Sequence, residues 1–248
     1  AGTMRVSTVQ TLAAYLDDEI TAMPNLVTVG AAQQLTTLAG IPFYQGDTGS
    51  IYTHDVSGTD STAQYNTAYG INALDAITTG DGNVAVGYNA GTANLTGAGN
   101  VTIGYLAGED LTQGPNVIIG DEAAKNATTM NSCVFIGPHV ADTGVITGDS
   151  SVVIGYNAGQ DMTSSSNSVL IGYDAGNDVT TGTHLTVVGS SAYDGGATTE
   201  NNNTAIGYNA LGGPVAGGEY NVAIGNYSLD ALTSGDNNTV IGYQAATA

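Results

Sequence analysis

A glycine recurs through most of this chain at a nearly constant interval, and no other feature limits the possible folds as strongly. Aligning NTAYG, NVAVG, NVTIG, NVIIG, CVFIG, SVVIG, SVLIG, LTVVG, NTAIG, NVAIG and NTVIG places it at Gly70, Gly87, Gly104, Gly120, Gly137, Gly155, Gly172, Gly189, Gly207, Gly225 and Gly242. The steps are 17, 17, 16, 17, 18, 17, 17, 18, 18 and 17 residues. Short units repeated at a fixed period cannot bury their apolar surface alone and must stack on one another.

Within each unit the residues around the glycine alternate with period two, which is the mark of a strand. The residue before it is Tyr69, Val86, Ile103, Ile119, Ile136, Ile154, Ile171, Val188, Ile206, Ile224 or Ile241, and two residues earlier there is always Val or Thr. Four residues before the glycine Asn occurs seven times, and three residues after it Ala occurs nine times. One strand, a second short segment and two turns consume this repeat length. The reading is an all-β parallel β-solenoid, or β-roll, of about eleven rungs over 61–248, roughly 50 Å long at about 4.8 Å per rung.

In that reading Val86, Ile103, Ile119, Ile136, Ile154, Ile171, Val188, Ile206, Ile224 and Ile241 form the internal core ladder, and the Asn column passes amide hydrogen bonds from rung to rung. The middle strand position would then face outward. It is uncharged throughout, with Ile118, Phe135, Val153, Leu170 and Val187 as its bulkiest members. An apolar column on the outside asks for a cover, and a second copy of the chain is the economical one. A homotrimer interface is therefore expected there, with a second layer of the same chain as the alternative.

Residues 1–60 lack the repeat. Ser7 and Gln10 have the form of a capping box, and Val9, Leu12, Leu16, Ile20 and Met23 share one face of a helix expected near 7–23, which Pro24 ends. Such a helix reads either as an attachment segment or as a cap over the first rung. The stretch 40–60 is turn-rich and reads as a connector.

Charge excludes one class of partner. Twenty-two Asp and Glu stand against Arg5 and Lys125, for a net charge of −20, which repels nucleic acid and anionic lipid surfaces alike. No apolar run approaches the roughly 20 residues that span a bilayer, so no membrane partner is expected. Cys133 stands alone and reads as a small buried residue.

Catalytic chemistry needs different groups to converge once, which repetition disfavours, and no enzyme is expected. His54, His139 and His184 read as exposed loop residues, and no HxH, HExxH or CxxC spacing occurs. No cofactor is expected. The turns GDGN (80–83), TGDSS (147–151) and SGDNN (234–238) are the places where carboxylate and carbonyl oxygens could hold a structural Ca²⁺, and ordinary turn chemistry also explains them. Tyr88, Tyr105, Tyr156, Tyr173, Tyr208 and Tyr243 follow the repeat glycine and form a broken aromatic stripe, suited to corner packing or to contact with a sugar or a protein.

The motif (S/N)-(V/T)-x-(I/V)-G followed by Tyr-Asn-Ala-Gly, as in SVVIGYNAG (151–159) and NVAVGYNAG (83–91), resembles the head repeats of trimeric autotransporter adhesins. NTAIGYNAL (203–211) is still more similar to repeats of bacteriophage tail fibres and related virion proteins. The resemblance covers 66–245 and implies a trimeric left-handed β-roll in a non-enzymatic virion fibre or spike. Its partners would be other virion proteins, through the N-terminal segment, and a host-surface glycan or protein. A capsid decoration protein and a bacterial surface adhesin or extracellular filament are the alternatives. Repeats longer than those of the adhesin heads are a departure from that pattern.

Overall fold

The computed structural model describes residues 37–38, 41–42, 44–45, 51–53, 62–195, 199–214 and 217–247. The helix expected at 7–23, with Val9, Leu12, Leu16, Ile20 and Met23, lies outside them, as does His54. The chain divides into two compact units, Ala1–Ile41 and Pro42–Ala248. Strands β1 (Thr37–Leu38) and β2 (Ile41–Pro42) pair as a two-stranded sheet. Among the described residues there is no α-helix, and no helix long and apolar enough to cross a membrane.

The second unit is a β-solenoid. Eleven three-residue strands stack in chain order: β5 (Thr67–Tyr69), β6 (Val84–Val86), β7 (Val101–Ile103), β8 (Val117–Ile119), β9 (Val134–Ile136), β10 (Val152–Ile154), β11 (Val169–Ile171), β12 (Thr186–Val188), β13 (Thr204–Ile206), β14 (Val222–Ile224) and β15 (Thr239–Ile241). Every neighbouring pair is parallel and in register, so that Ile118 lies opposite Phe135, Phe135 opposite Val153 and Val153 opposite Leu170. The sheet reaches back beyond residue 61, because β4 (Ile51–Tyr52) pairs parallel with β5 and β3 (Tyr44–Gln45) antiparallel with β4. The opposite side of each coil is also laddered, for example by Ala93 N to Glu109 O at 2.9 Å and Asp110 N to Lys125 O at 3.1 Å.

The faces of the strands are the reverse of the sequence expectation. From β6 to β14 the middle residue is buried and its two neighbours are exposed or partly exposed. Ile118, Phe135, Val153, Leu170 and Val187, expected at an oligomer interface, are wholly buried inside their own coils. Val86, Ile103, Ile119, Ile136, Ile154, Ile171, Val188, Ile206 and Ile224, expected as the internal ladder, point outward with partial exposure, and Ile241 is exposed on the last strand. The physical reason is width. A three-residue strand between two turns sends one side chain into a narrow coil, and alternation then turns both flanking residues out.

Interior volume is shared across each coil. Where the strand centre is small, as at Ala68, Ala205 and Ala223, the buried position four residues after the repeat glycine is Leu74, Leu211 or Leu229. Where the centre is Val153 or Leu170, that position is Gly159 or Gly176, and a Cβ there would lie 3.0 Å and 3.1 Å from the nearest Leu170 methyl carbon. Ala85 pairs with Gly91 instead, and the space is filled from adjacent coils by Leu74 Cδ2 and Thr102 Oγ1, 3.3 Å and 3.1 Å from that hypothetical Cβ.

Two columns close the corners. The repeat glycine adopts a positive φ, +139° at Gly104, and a Cβ there would fall 2.1 Å from Gly120 O of the next coil. Only glycine permits that approach. The expected Asn ladder is present: Asn83 Oδ1 accepts from Asn100 N (2.9 Å), while its Nδ2 donates to Asn66 Oδ1 (3.1 Å) and Gly97 O (2.9 Å). In the middle coils smaller groups take over, with Ser151 Oγ accepting from Ser168 N at 3.3 Å and Ser168 Oγ from Leu185 N at 3.1 Å.

Candidate functional site

The outward strand face is an extended surface that the fold leaves for an interaction. Two parallel columns of Val, Ile and Thr run along β6 to β14, β-branched side chains standing on like neighbours one coil away, the arrangement in which they pack best on a pleated surface. Two residues beyond the second column stand Tyr88, Tyr105, Tyr156, Tyr173, Tyr208 and Tyr243, each between 44% and 70% exposed. Tyr88 and Tyr105 stack with ring centres 5.5 Å apart and planes at 15°, and Tyr156 and Tyr173 stack at 5.7 Å and 7°. Tyr227 meets Tyr208 and Tyr243 edge-on at 5.2 and 6.4 Å. The nearby Asp174 carboxylate pushes the Tyr173 phenol above its ordinary pKa.

Ten steps of roughly 4.8 Å by four residues of roughly 3.3 Å make this face about 50 by 13 Å, on the order of 600 Å². That is the upper end of what isolated soluble monomers leave exposed. The strand columns of this face are uncharged, so it suits another apolar surface.

The turns after the repeat glycines carry a mostly polar column, interrupted at Leu106. The residue two after the glycine has a left-handed backbone, φ being +58° at Asn72, +54° at Asn89, +53° at His139 and +53° at Asn157. Asn tolerates that conformation at little cost, which accounts for the Tyr-Asn-Ala-Gly motif. Asn72 Nδ2 donates to Asn89 Oδ1 at 3.1 Å, and Asn89 Nδ2 to Glu109 Oε1 at 2.8 Å.

One part of this column is ionic. His139 Nδ1 lies 2.8 Å from Asp142 Oδ2, His139 Nε2 lies 3.9 Å from Asp121 Oδ2, and Lys125 Nζ donates to Glu122 Oε2 at 2.7 Å. The lysine bond holds the Glu122 carboxyl below its ordinary pKa, and the same bond raises that of Lys125. The sequence reading of His139 as an exposed loop residue is corrected: its side chain is 32% exposed and paired, whereas His184 is exposed with Nδ1 3.1 Å from Thr183 Oγ1. The signal available beforehand was the three-residue spacing of His139 and Asp142 across a turn.

The Asp-rich turns have structural work. Asp81 Oδ1 accepts from Gln64 N at 2.8 Å, Asp149 Oδ1 from Asn131 N at 2.6 Å and Asp236 Oδ1 from Glu219 N at 2.9 Å, each tying one coil to the preceding one. Cys133 is buried in the Asn column, its amide donating to Asn116 Oδ1 at 3.1 Å, and burial pushes its thiol pKa up.

No family model, curated protein or solved structure matches the chain.

Proposed function

We propose that the chain is a non-enzymatic structural subunit of a virion, a fibre or spike whose rods assemble as a homotrimer. The observation that carries the reading is the outward strand face, two uncharged β-branched columns running beside stacked tyrosines along nine or more coils. Three such faces packed about an axis would bury the columns, while the turns, which carry the acidic residues, stay in water. The interface assigned here is Val86, Ile103, Ile119, Ile136, Ile154 and Ile171 with their partners two residues earlier, in place of the buried middle positions.

The virion setting rests on the repeat motif's resemblance to phage fibre repeats. Its partners in that setting are other virion proteins, reached through the N-terminal segment, and a host-surface glycan or protein that the exposed tyrosines could stack against. A second reading is a capsid decoration protein, in which the same outward face would join rods that stand on the shell in many copies.

The experiment is quantitative mass spectrometry of purified particles from the producing culture. A few copies per particle support the fibre, and tens to hundreds the decoration protein. Absence from particles together with recovery in the cell envelope would replace both with a bacterial surface adhesin.

A further inference from the structure

We propose that Glu122, His139 and Asp142 bind a first-row divalent transition-metal ion, with Zn²⁺ the best fit. One donor atom from each lies within 4.8 Å of the others. Glu122 comes from the coil of Gly120, and His139 and Asp142 from the next coil, so the ion joins two consecutive rungs.

The individual groups are in order for ligation. His139 Nδ1 and Asp142 Oδ2 share a hydrogen bond of 2.8 Å, and a parting of about half an ångström brings them to the roughly 3.4 Å between tetrahedral ligands at about 2.1 Å from one metal. Zn²⁺ would displace the proton that Nδ1 shares with Asp142, and the Asp121 carboxylate, 3.9 Å from the other ring nitrogen, stands where an outer carboxylate can then take the Nε2–H. Asp142 is only 8% exposed, and its Oδ1 is buried with no hydrogen-bond partner. A carboxylate oxygen left in that state is costly. A cation beside it removes the cost. Lys125 occupies Glu122 Oε2 and leaves Oε1 for the ion.

The charge balances as well. Three carboxylates (Glu122, Asp142, Asp121) and one ammonium (Lys125) leave a net of −2 around a neutral imidazole, matched to a divalent ion. One nitrogen donor with carboxylates suits Zn²⁺ and its first-row neighbours, whereas Ca²⁺ and Mg²⁺ take oxygen alone. The fold supplies its own control. At the same turn position Asn72, Asn89, Asn157 and Asn209 keep the left-handed backbone with no ion pair, so an ionic set is not needed to build a coil.

The test is calorimetric titration of untagged, chelator-treated full-length protein with ZnCl₂, followed by metal analysis after dialysis and a melting curve. Expected are one Zn²⁺ per chain, a melting temperature that rises with Zn²⁺ concentration, and weaker, separately behaving Ca²⁺. His139→Asn, which restores the residue common at this turn, should abolish both Zn²⁺ effects while its circular dichroism and its melting temperature in chelator match wild type. Asp121→Asn should weaken binding about tenfold, and His184→Asn should change nothing. Failure of wild type to take up Zn²⁺ saturably, retention of uptake in His139→Asn, or equal binding of Ca²⁺ that ignores His139→Asn would each overturn the proposal.

Discussion

Phe135 and Ile136 are neighbours on β9, yet the structure gives them opposite surroundings, and truncating each in turn tests the inside-out assignment of the strands. Phe135 is wholly buried between Ile118 and Val153 of the adjoining coils. A buried Phe removes about 200 Å² from water, worth roughly 5 kcal/mol at about 25 cal/mol per Å². Alanine keeps part of that and leaves a cavity, so Phe135→Ala should cost about 3–5 kcal/mol. Ile136 is partly exposed. Its truncation deletes about three carbons that are only partly out of water, or roughly 1 kcal/mol. For a chain of this size that is a fall in melting temperature of about 10 °C against about 3 °C. Urea and thermal unfolding followed by circular dichroism at two protein concentrations read both. The Phe135→Ala loss should not depend on concentration, while any further loss in Ile136→Ala should, because that side chain is assigned to contacts between chains. If Ile136→Ala costs as much as Phe135→Ala at every concentration, the assignment of faces is refuted.

Gly104→Ala should destabilise by more than about 3 kcal/mol, since the new Cβ meets the Gly120 carbonyl at a φ that side chains avoid; chemical denaturation checks it. Asn83→Ala strands Asn100 N–H in the interior and leaves Gly97 C=O with Asn94 Nδ2 alone, at a cost of about 1–3 kcal/mol, whereas a loss under about 0.5 kcal/mol would mean the ladder is not under load. Burial raises the folded pKa of Asp194 above its ordinary value. The folded state therefore holds that proton to higher pH than the unfolded chain, and the group's penalty is absent below the ordinary Asp range and grows as pH rises through the folded pKa. Asp194→Asn should accordingly raise the melting temperature at pH 7 and leave it unchanged at pH 3.

The stack itself was legible because strict periodicity admits few folds. Asn66, Asn83, Asn100 and Asn116 recur at one phase of the strand, and a buried amide at a solenoid corner has only its equivalents and the backbone to bond. The inward face was misread because alternation identifies two faces without saying which is inside. Constancy of Val and Ile suggested the core, but the interior position is the variable one, since Ala205 with Leu211 fills a coil as well as Leu170 with Gly176 does. A small strand centre with Leu four residues after the glycine, at Ala68, Ala205 and Ala223, was the readable clue, although Ala85 with Gly91 and Val187 with Tyr193 depart from it. The His139–Asp142 pair escaped notice because a left-handed turn, not a helix, brings residues three apart together.

Light scattering coupled to size-exclusion chromatography reads self-association through the outward strand face. Wild type should run as a trimer of three 24.8 kDa chains, about 74 kDa. Val152→Lys combined with Ile171→Lys, which charges that face while leaving Val153 and Leu170 in the core, should run as a folded 24.8 kDa monomer. Wild type eluting as a 24.8 kDa monomer across the accessible concentration range would contradict that self-association.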